Sequence, residues 1–200
     1  MVPNWFKLPS GPNLSVANLT CTGYMDKAKM PDHVMILGVG NLLFSDEGFG
    51  IRVVEALERR YAFPENVSVV DGGVLGVSLL GVMSEADHLI VVDVIRNQGV
   101  PGDLYRLAGD AIPERIRAKN SLHQIDFLEA LTLCQAMEKM PEAVIVGVEP
   151  EDIATLSTAL TTTTQNKMED VIGMVLTELN RLGIVYRDRG TNAHVPCNPI

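Results

Sequence analysis

The stretch Ile36-Leu37-Gly38-Val39-Gly40-Asn41-Leu42-Leu43-Phe44-Ser45-Asp46-Glu47-Gly48-Phe49-Gly50-Ile51-Arg52 constrains this chain more than any other. An apolar run ends in a glycine-rich turn, which leads through two adjacent carboxylates into a helical pattern. Ile51, Val54, Leu57 and Tyr61 recur at helical spacing. Ser45 is expected to cap that helix, with Asp46 and Glu47 in its first turn, where the helix dipole favours acids. Gly38, Gly40, Gly48 and Gly50 permit a tight turn and a close approach of other groups. The segment therefore reads strand, loop, helix. Open α/β sheets collect their ligands at the carboxyl ends of strands, so the two acids stand where a site is expected.

The alternation continues along the chain. Val34–Val39, Leu89–Val94 and Ala143–Val148 are apolar runs of strand length, Val67–Val70 is a second strand closed by Asp71-Gly72-Gly73, and Leu104–Leu107 suits a short edge strand. Leu75 to Met83 reads as a short helix. His123 to Met140 carries helical spacing through Ile125, Leu128, Leu131 and Met137. Lys167 to Leu182 is the last helix, stopped at Gly183. Repeated βα units predict an α/β fold: a single domain of three layers, α/β/α, around a mainly parallel twisted sheet. Residues 1–32, punctuated by Pro3, Pro9, Pro12 and Pro31, are expected to be a flexible extension dispensable for folding and activity. The domain is expected over 33–185, and 186–200 as a loose tail.

Composition narrows the function classes. The 200 residues carry a net charge of −9 with no basic cluster, which disfavours nucleic acid and anionic membranes as partners. No apolar run reaches the roughly 20 residues that span a bilayer, and the N-terminus has no signal-peptide core. Cys21, Cys134 and Cys197 lie far apart and form no C-x-x-C pair, which favours a reducing, cytoplasmic setting. Familiar catalytic signatures are missing. Leu43 stands where a dinucleotide fingerprint needs its third glycine. There is no phosphate loop and no H-E-x-x-H, and Gly76-Val77-Ser78-Leu79-Leu80 breaks the nucleophile-elbow pattern at its last position.

Four residues in three segments remain as candidates for chemistry. The Asp46–Glu47 pair reads either as dipole-complementing acids or as site carboxylates. Asp93 ends the apolar strand Leu89-Ile90-Val91-Val92, where a charge is costly unless it is paired, hydrogen-bonded or metal-bound. The alternative is a cap for the following loop. His123, in Ser121-Leu122-His123-Gln124, precedes a helix and reads alone as structural or functional. His88 is expected to be structural, and His33 and His194 fall in the loose ends.

Taken in order, these segments resemble the endopeptidases that mature [NiFe]-hydrogenases. The resemblance runs from about Val34 to Gly183. It rests on Gly38-Val39-Gly40-Asn41-Leu42-Leu43 with Asp46-Glu47-Gly48-Phe49-Gly50, on Asp71-Gly72-Gly73 followed by Gly76, on Asp87 to Asp93, on the His123 segment, and on Gly147-Val148-Glu149-Pro150. Val74 departs from the threonine common in that family, and the extension before Val34 is long for it.

The resemblance implies that Glu47, Asp93 and His123 converge as a nickel-binding trio, with Asp46 and Asp71 as supporting groups. Two carboxylates and an imidazole suit nickel or another divalent ion such as zinc in its place. It further implies that the nickel belongs to the substrate, a nickel-loaded [NiFe]-hydrogenase large-subunit precursor from which a C-terminal peptide is removed. A metal-activated water with a carboxylate as base is the simplest scheme for the cleavage. Other readings of the same residues are a metallohydrolase holding its own zinc, a nickel-binding assembly chaperone without catalysis, and a small-molecule-binding Rossmann-like domain.

Overall fold

A computed structural model describes residues 33–73, 83–109, 112 and 141–190. The expected helix at His123–Met140, nearly all of that at Leu75–Met83, His123 itself, Val74, His194 and all three cysteines lie outside the described residues, as do 1–32 and 191–200.

Among the described residues five strands form the main sheet: β1 (Val34–Val39), β3 (Val67–Gly73), β4 (His88–Val94), β5 (Leu104–Ala108) and β6 (Glu142–Val148). Their order is β3-β1-β4-β6-β5. The pairs β1–β3, β1–β4 and β4–β6 are parallel, and only the edge strand β5 runs antiparallel, against β6. A separate two-stranded antiparallel ribbon joins β2 (Tyr61–Ala62) to β7 (Arg187–Asp188). The helices among the described residues are α1 (Phe49–Arg60), the short α2 (Thr162–Gln165) and α3 (Met168–Arg181).

The period-2 alternation of side chains divides the core in two. Val34, Ile36, Ile90, Val92, Val94, Val146 and Val148 face α1 and α3, meeting Phe49, Val53, Leu57, Val171, Val175 and Leu179. Met35, Leu37, Leu89, Val91, Ala143 and Ile145 form a second cluster on the opposite face with Met83, Ala86 and Ile112. Every residue of β1 is buried. Burial on both faces is why β1 and the middle of β4 read as continuous apolar runs.

Three local expectations are corrected. Ser45 does not cap α1. It takes φ 42 in a 3-10 turn over Ser45–Gly48, and its hydroxyl donates to the carbonyl of Ala159 at 3.2 Å. Tyr61 leaves the helix and opens β2. The folded part also passes the expected boundary at 185. Tyr186 is buried, its ring meets Tyr61 edge-on at 5.6 Å, and β7 follows.

Candidate active site

The topology itself marks out one end of the sheet. From β1 the chain crosses to β3 on one side, whereas β4 lies on β1's other side and leads on toward β6 and β5. The carboxyl ends of β1 and β4 are therefore the switch point at which open α/β sheets bind ligands. Gly38 pairs in register with Val92, so Val39 is level with Asp93.

Close backbone contacts bring Glu47 to the same place. A Cβ on Gly40 (φ 141) would lie 1.8 Å from the carbonyl oxygen of Glu47, and one on Gly50 would lie 2.2 Å from that of Val92 and 2.4 Å from that of Val39. Only glycine at these positions lets the start of α1 sit directly on the ends of β1 and β4. On the other side of β4, a Cβ on Gly147 would lie 1.9 Å from the carbonyl oxygen of Asp93. Glu47 and Asp93, both half-buried, thus both lie at the switch point. Asp93 Oδ1 accepts a hydrogen bond from the amide of Val94 at 2.7 Å.

Asp46 has a different position from its neighbour. It is fully buried. Its Oδ1 accepts from the Thr161 amide (2.8 Å) and the Thr164 hydroxyl (2.6 Å). Its Oδ2 accepts from the amides of Glu151 and Asp152 (both 2.9 Å) and the Thr161 hydroxyl (3.0 Å). Five donors satisfy a carboxylate that would otherwise be costly to bury. They fasten the turn carrying Glu47 to the segment that follows β6. That segment is itself ordered by Asp152, whose carboxyl is held below the usual carboxylate range by the side chain of Thr155 and the amides of Ala154 and Thr155.

Asp71 is exposed at the carboxyl end of β3, level with Gly38, and accepts from the Gly73 amide at 2.9 Å. His33 and His88 lie at the opposite, amino end of the sheet. The His33 ring sits 3.0 Å from both the Glu85 carbonyl and the Ser68 hydroxyl, and His88 faces Glu142 at 3.4 Å. His33, expected in a loose end, is fixed there. Among the described residues no group of three or more His, Cys, Asp or Glu is placed to hold a metal ion. The trio contains His123, which lies outside them.

A second buried carboxylate stands at the end of β6. Glu149 Oε2 accepts from the Asn97 amide (2.8 Å) and the Tyr105 hydroxyl (2.9 Å). Burial, and then this hydrogen bond, push the Tyr105 hydroxyl above the usual tyrosine range.

Comparison with known proteins identifies the family. The family model described as hydrogenase maturation protease matches residues 51–178. The hydrogenase 2 maturation protease of Escherichia coli is 36% identical over 153 residues, 76% of this chain and 93% of the relative. The hydrogenase expression/formation protein HupD of Bradyrhizobium diazoefficiens is 35% identical over 167 residues, 82% of this chain and 87% of the relative. The structure of the E. coli hydrogenase maturating endopeptidase HybD superposes with a TM-score of 0.76 at 36% identity, covering 79% of this chain and 98% of that one.

The chain belongs to the hydrogenase maturation protease family.

As a hydrogenase maturation protease it is a peptidase, with the mostly parallel α/β fold of the HybD endopeptidase. Sequence reasoning had singled out Glu47 and Asp93, and the fold brings both to the switch point. It missed Thr161, Thr164 and the role of Glu149. A signal for Glu149 was present: an acid directly after the buried run Ala143–Val148, the same pattern that marked Asp93. The threonines carried no comparable signal, because their partner lies 115 and 118 residues away.

Proposed function

We propose that this peptidase removes the C-terminal peptide from a [NiFe]-hydrogenase large-subunit precursor in the cytoplasm, and that it recognises nickel already inserted in that substrate. Glu47 and Asp93, with His123 as third member, are the groups that meet the substrate's nickel. What supports this reading is that the turn carrying Glu47 is packed on the carboxyl ends of β1 and β4, the strand that ends in Asp93. Two carboxylates and an imidazole form a donor set suited to nickel or a similar divalent ion. Asp46 fixes the turn that carries Glu47, and Asp71 stands at the same end of the sheet on β3. Holding the metal-bearing tail beside these groups turns attack on one peptide bond into an effectively intramolecular event. Water activated by the metal, with one carboxylate as base, completes the simplest scheme.

The test uses purified full-length protein freed of metal by a chelator that is then removed. It is mixed with large-subunit precursor prepared with or without nickel. Cleavage of the nickel-loaded precursor alone is expected, seen as a gel shift. Equal cleavage of both forms, dependent on zinc added to the enzyme, would favour a resident-metal hydrolase. Nickel binding without any cleavage would favour an assembly chaperone.

A further inference from the structure

The loop between β4 and β5 begins two residues after Asp93 and is held with unusual thoroughness. Glu149 fixes the loop and the start of β5 through four hydrogen bonds. Its side chain accepts from the Asn97 amide and the Tyr105 hydroxyl, its amide donates to the Asp103 carbonyl (2.8 Å), and its carbonyl accepts from the Gly102 amide (2.9 Å). The loop closes on itself as well: the Val100 amide donates to Asp103 Oδ2 (2.8 Å) and the Asp103 amide to the Val100 carbonyl (2.9 Å). Gln98 takes φ 59, a left-handed conformation that costs a non-glycine residue energy. Gly99 lies so close to Tyr105 that a Cβ there would be 2.1 Å from the hydroxyl oxygen.

All this order presents one apolar side chain to water. Val100, at the tip, is 69% exposed. Nor is it isolated in kind. Among the described residues the exposed large apolar side chains are Leu43, Val100, Leu104, Leu156 and Val185. The first four belong to segments at the carboxyl-end rim: Leu43 follows β1, Leu104 pairs with Val148 at the end of β6, and the Leu43 carbonyl accepts from the Ser157 amide, which places Leu156 beside it. Exposed apolar side chains held at one end of the sheet offer contacts to another molecule, and strained, pinned loops concentrate at ligand-contact positions.

We propose that loop 95–103 is a preformed ledge on which the substrate polypeptide rests, with Val100 as its apolar contact and Glu149 as the positioning residue that keeps it raised. The occupant is the precursor chain next to the switch point, because the ledge continues directly from Asp93. This rests on the function proposed above. A ledge ordered before binding spares the complex the entropy of ordering the loop, so it strengthens substrate binding rather than the chemical step.

The experiment measures KM and kcat for cleavage of nickel-loaded precursor, precursor binding without turnover, and melting temperature. Val100→Ser should raise KM about tenfold, the effect of losing one apolar contact, with kcat and melting near wild type. Val100→Leu should restore a low KM. Val185→Ser, which changes an exposed apolar residue away from the rim, should leave KM and kcat unchanged. Glu149→Gln, which keeps an acceptor for Asn97 and Tyr105, should stay close to wild type, whereas Glu149→Ala should raise KM as Val100→Ser does. Val100→Ser with wild-type KM and binding overturns the ledge even if the Glu149→Ala protein fails to fold. A wild-type protein that neither binds nor cleaves the precursor overturns the functional reading, and the ledge with it. Normal wild-type cleavage with an unaffected Val100→Ser removes the ledge alone.

Discussion

The hydroxyl of Thr164 donates a 2.6 Å hydrogen bond to the buried carboxylate of Asp46, across 118 residues of chain. Neither residue is exposed. Asp46 and Glu47 are adjacent acids in different surroundings: one is fully buried and the other half-buried.

Asp46→Ala should therefore be strongly destabilising. It strands the amides of Glu151, Asp152 and Thr161 together with two hydroxyls. Each unsatisfied buried group costs about 1–3 kcal/mol, so a loss of at least about 3 kcal/mol is expected in urea denaturation. Thr164→Val, which keeps shape and removes one donor, should cost about 1–2 kcal/mol by the same reasoning. A melting curve for Asp46→Ala that overlays wild type would mean the network contributes nothing.

Glu47→Gln, Asp93→Asn and His123→Ala should behave in the reverse way. Glu47 and Asp93 are half-buried rather than core residues, and substitutions outside the packed core usually stay within about 0.5 kcal/mol. Cleavage of nickel-loaded precursor should nevertheless fall by roughly 100-fold or more, as when the positioning of reacting groups is lost. Gel-shift assays paired with melting curves decide the matter. Wild-type rates in all three variants would remove the trio from the site.

Gly50→Ala should damage the switch point through sterics alone. The new methyl would press on the carbonyl oxygens of Val39 and Val92, where backbone rather than a flexible side chain must move. A cost of about 3 kcal/mol, the upper end for overpacking, is expected, along with reduced cleavage because shifting α1 also shifts the preceding turn that carries Glu47. Circular dichroism and the cleavage assay would show whether the two effects travel together.

The pH dependence of stability should include a contribution from Glu178. This buried carboxylate accepts from Arg106 Nε and Nη2 (both 2.9 Å) and from Arg181 Nη1 (2.6 Å). The Arg106 hydrogen bonds hold its pKa below the ordinary value, against the opposing effect of burial. The folded pKa lies below the unfolded one, so the stabilisation is present in full above the unfolded value of about 4.3 and is lost as pH falls through the folded value. Glu178→Gln should cost about 1–2 kcal/mol at pH 7, a figure kept modest by the exposure of Arg106. The gap between the two proteins should close in acid, and a gap independent of pH would contradict the assignment.

What the sequence revealed follows the range of the interactions involved. β1, β4, β6 and α3 were legible because burial on two faces or one writes itself into local periodicity. Gly38, Gly40 and Gly50 were legible as sites of close approach, though not what approaches them. Ser45 misled, since a serine before two acids is a good local cap, and here it is bound instead to Ala159, 114 residues away. Tyr186 misled because a polar neighbourhood hid an aromatic that packs against Tyr61 and Phe63. The antiparallel direction of β5 had no local sign either, being set by its pairing with β6.

The dependence of Asp46 on residues 151–164 also has a consequence in time. During synthesis, Glu47 and Asp93 emerge long before the donors that hold the turn beside them. A nascent chain ending before Glu151 contains both carboxylates but none of the five donors that bind Asp46. Contacts so distant in sequence form only once both partners have been made, and they form slowly. The clasp thus waits for residues 151–164, and a truncated protein carrying both carboxylates lacks it.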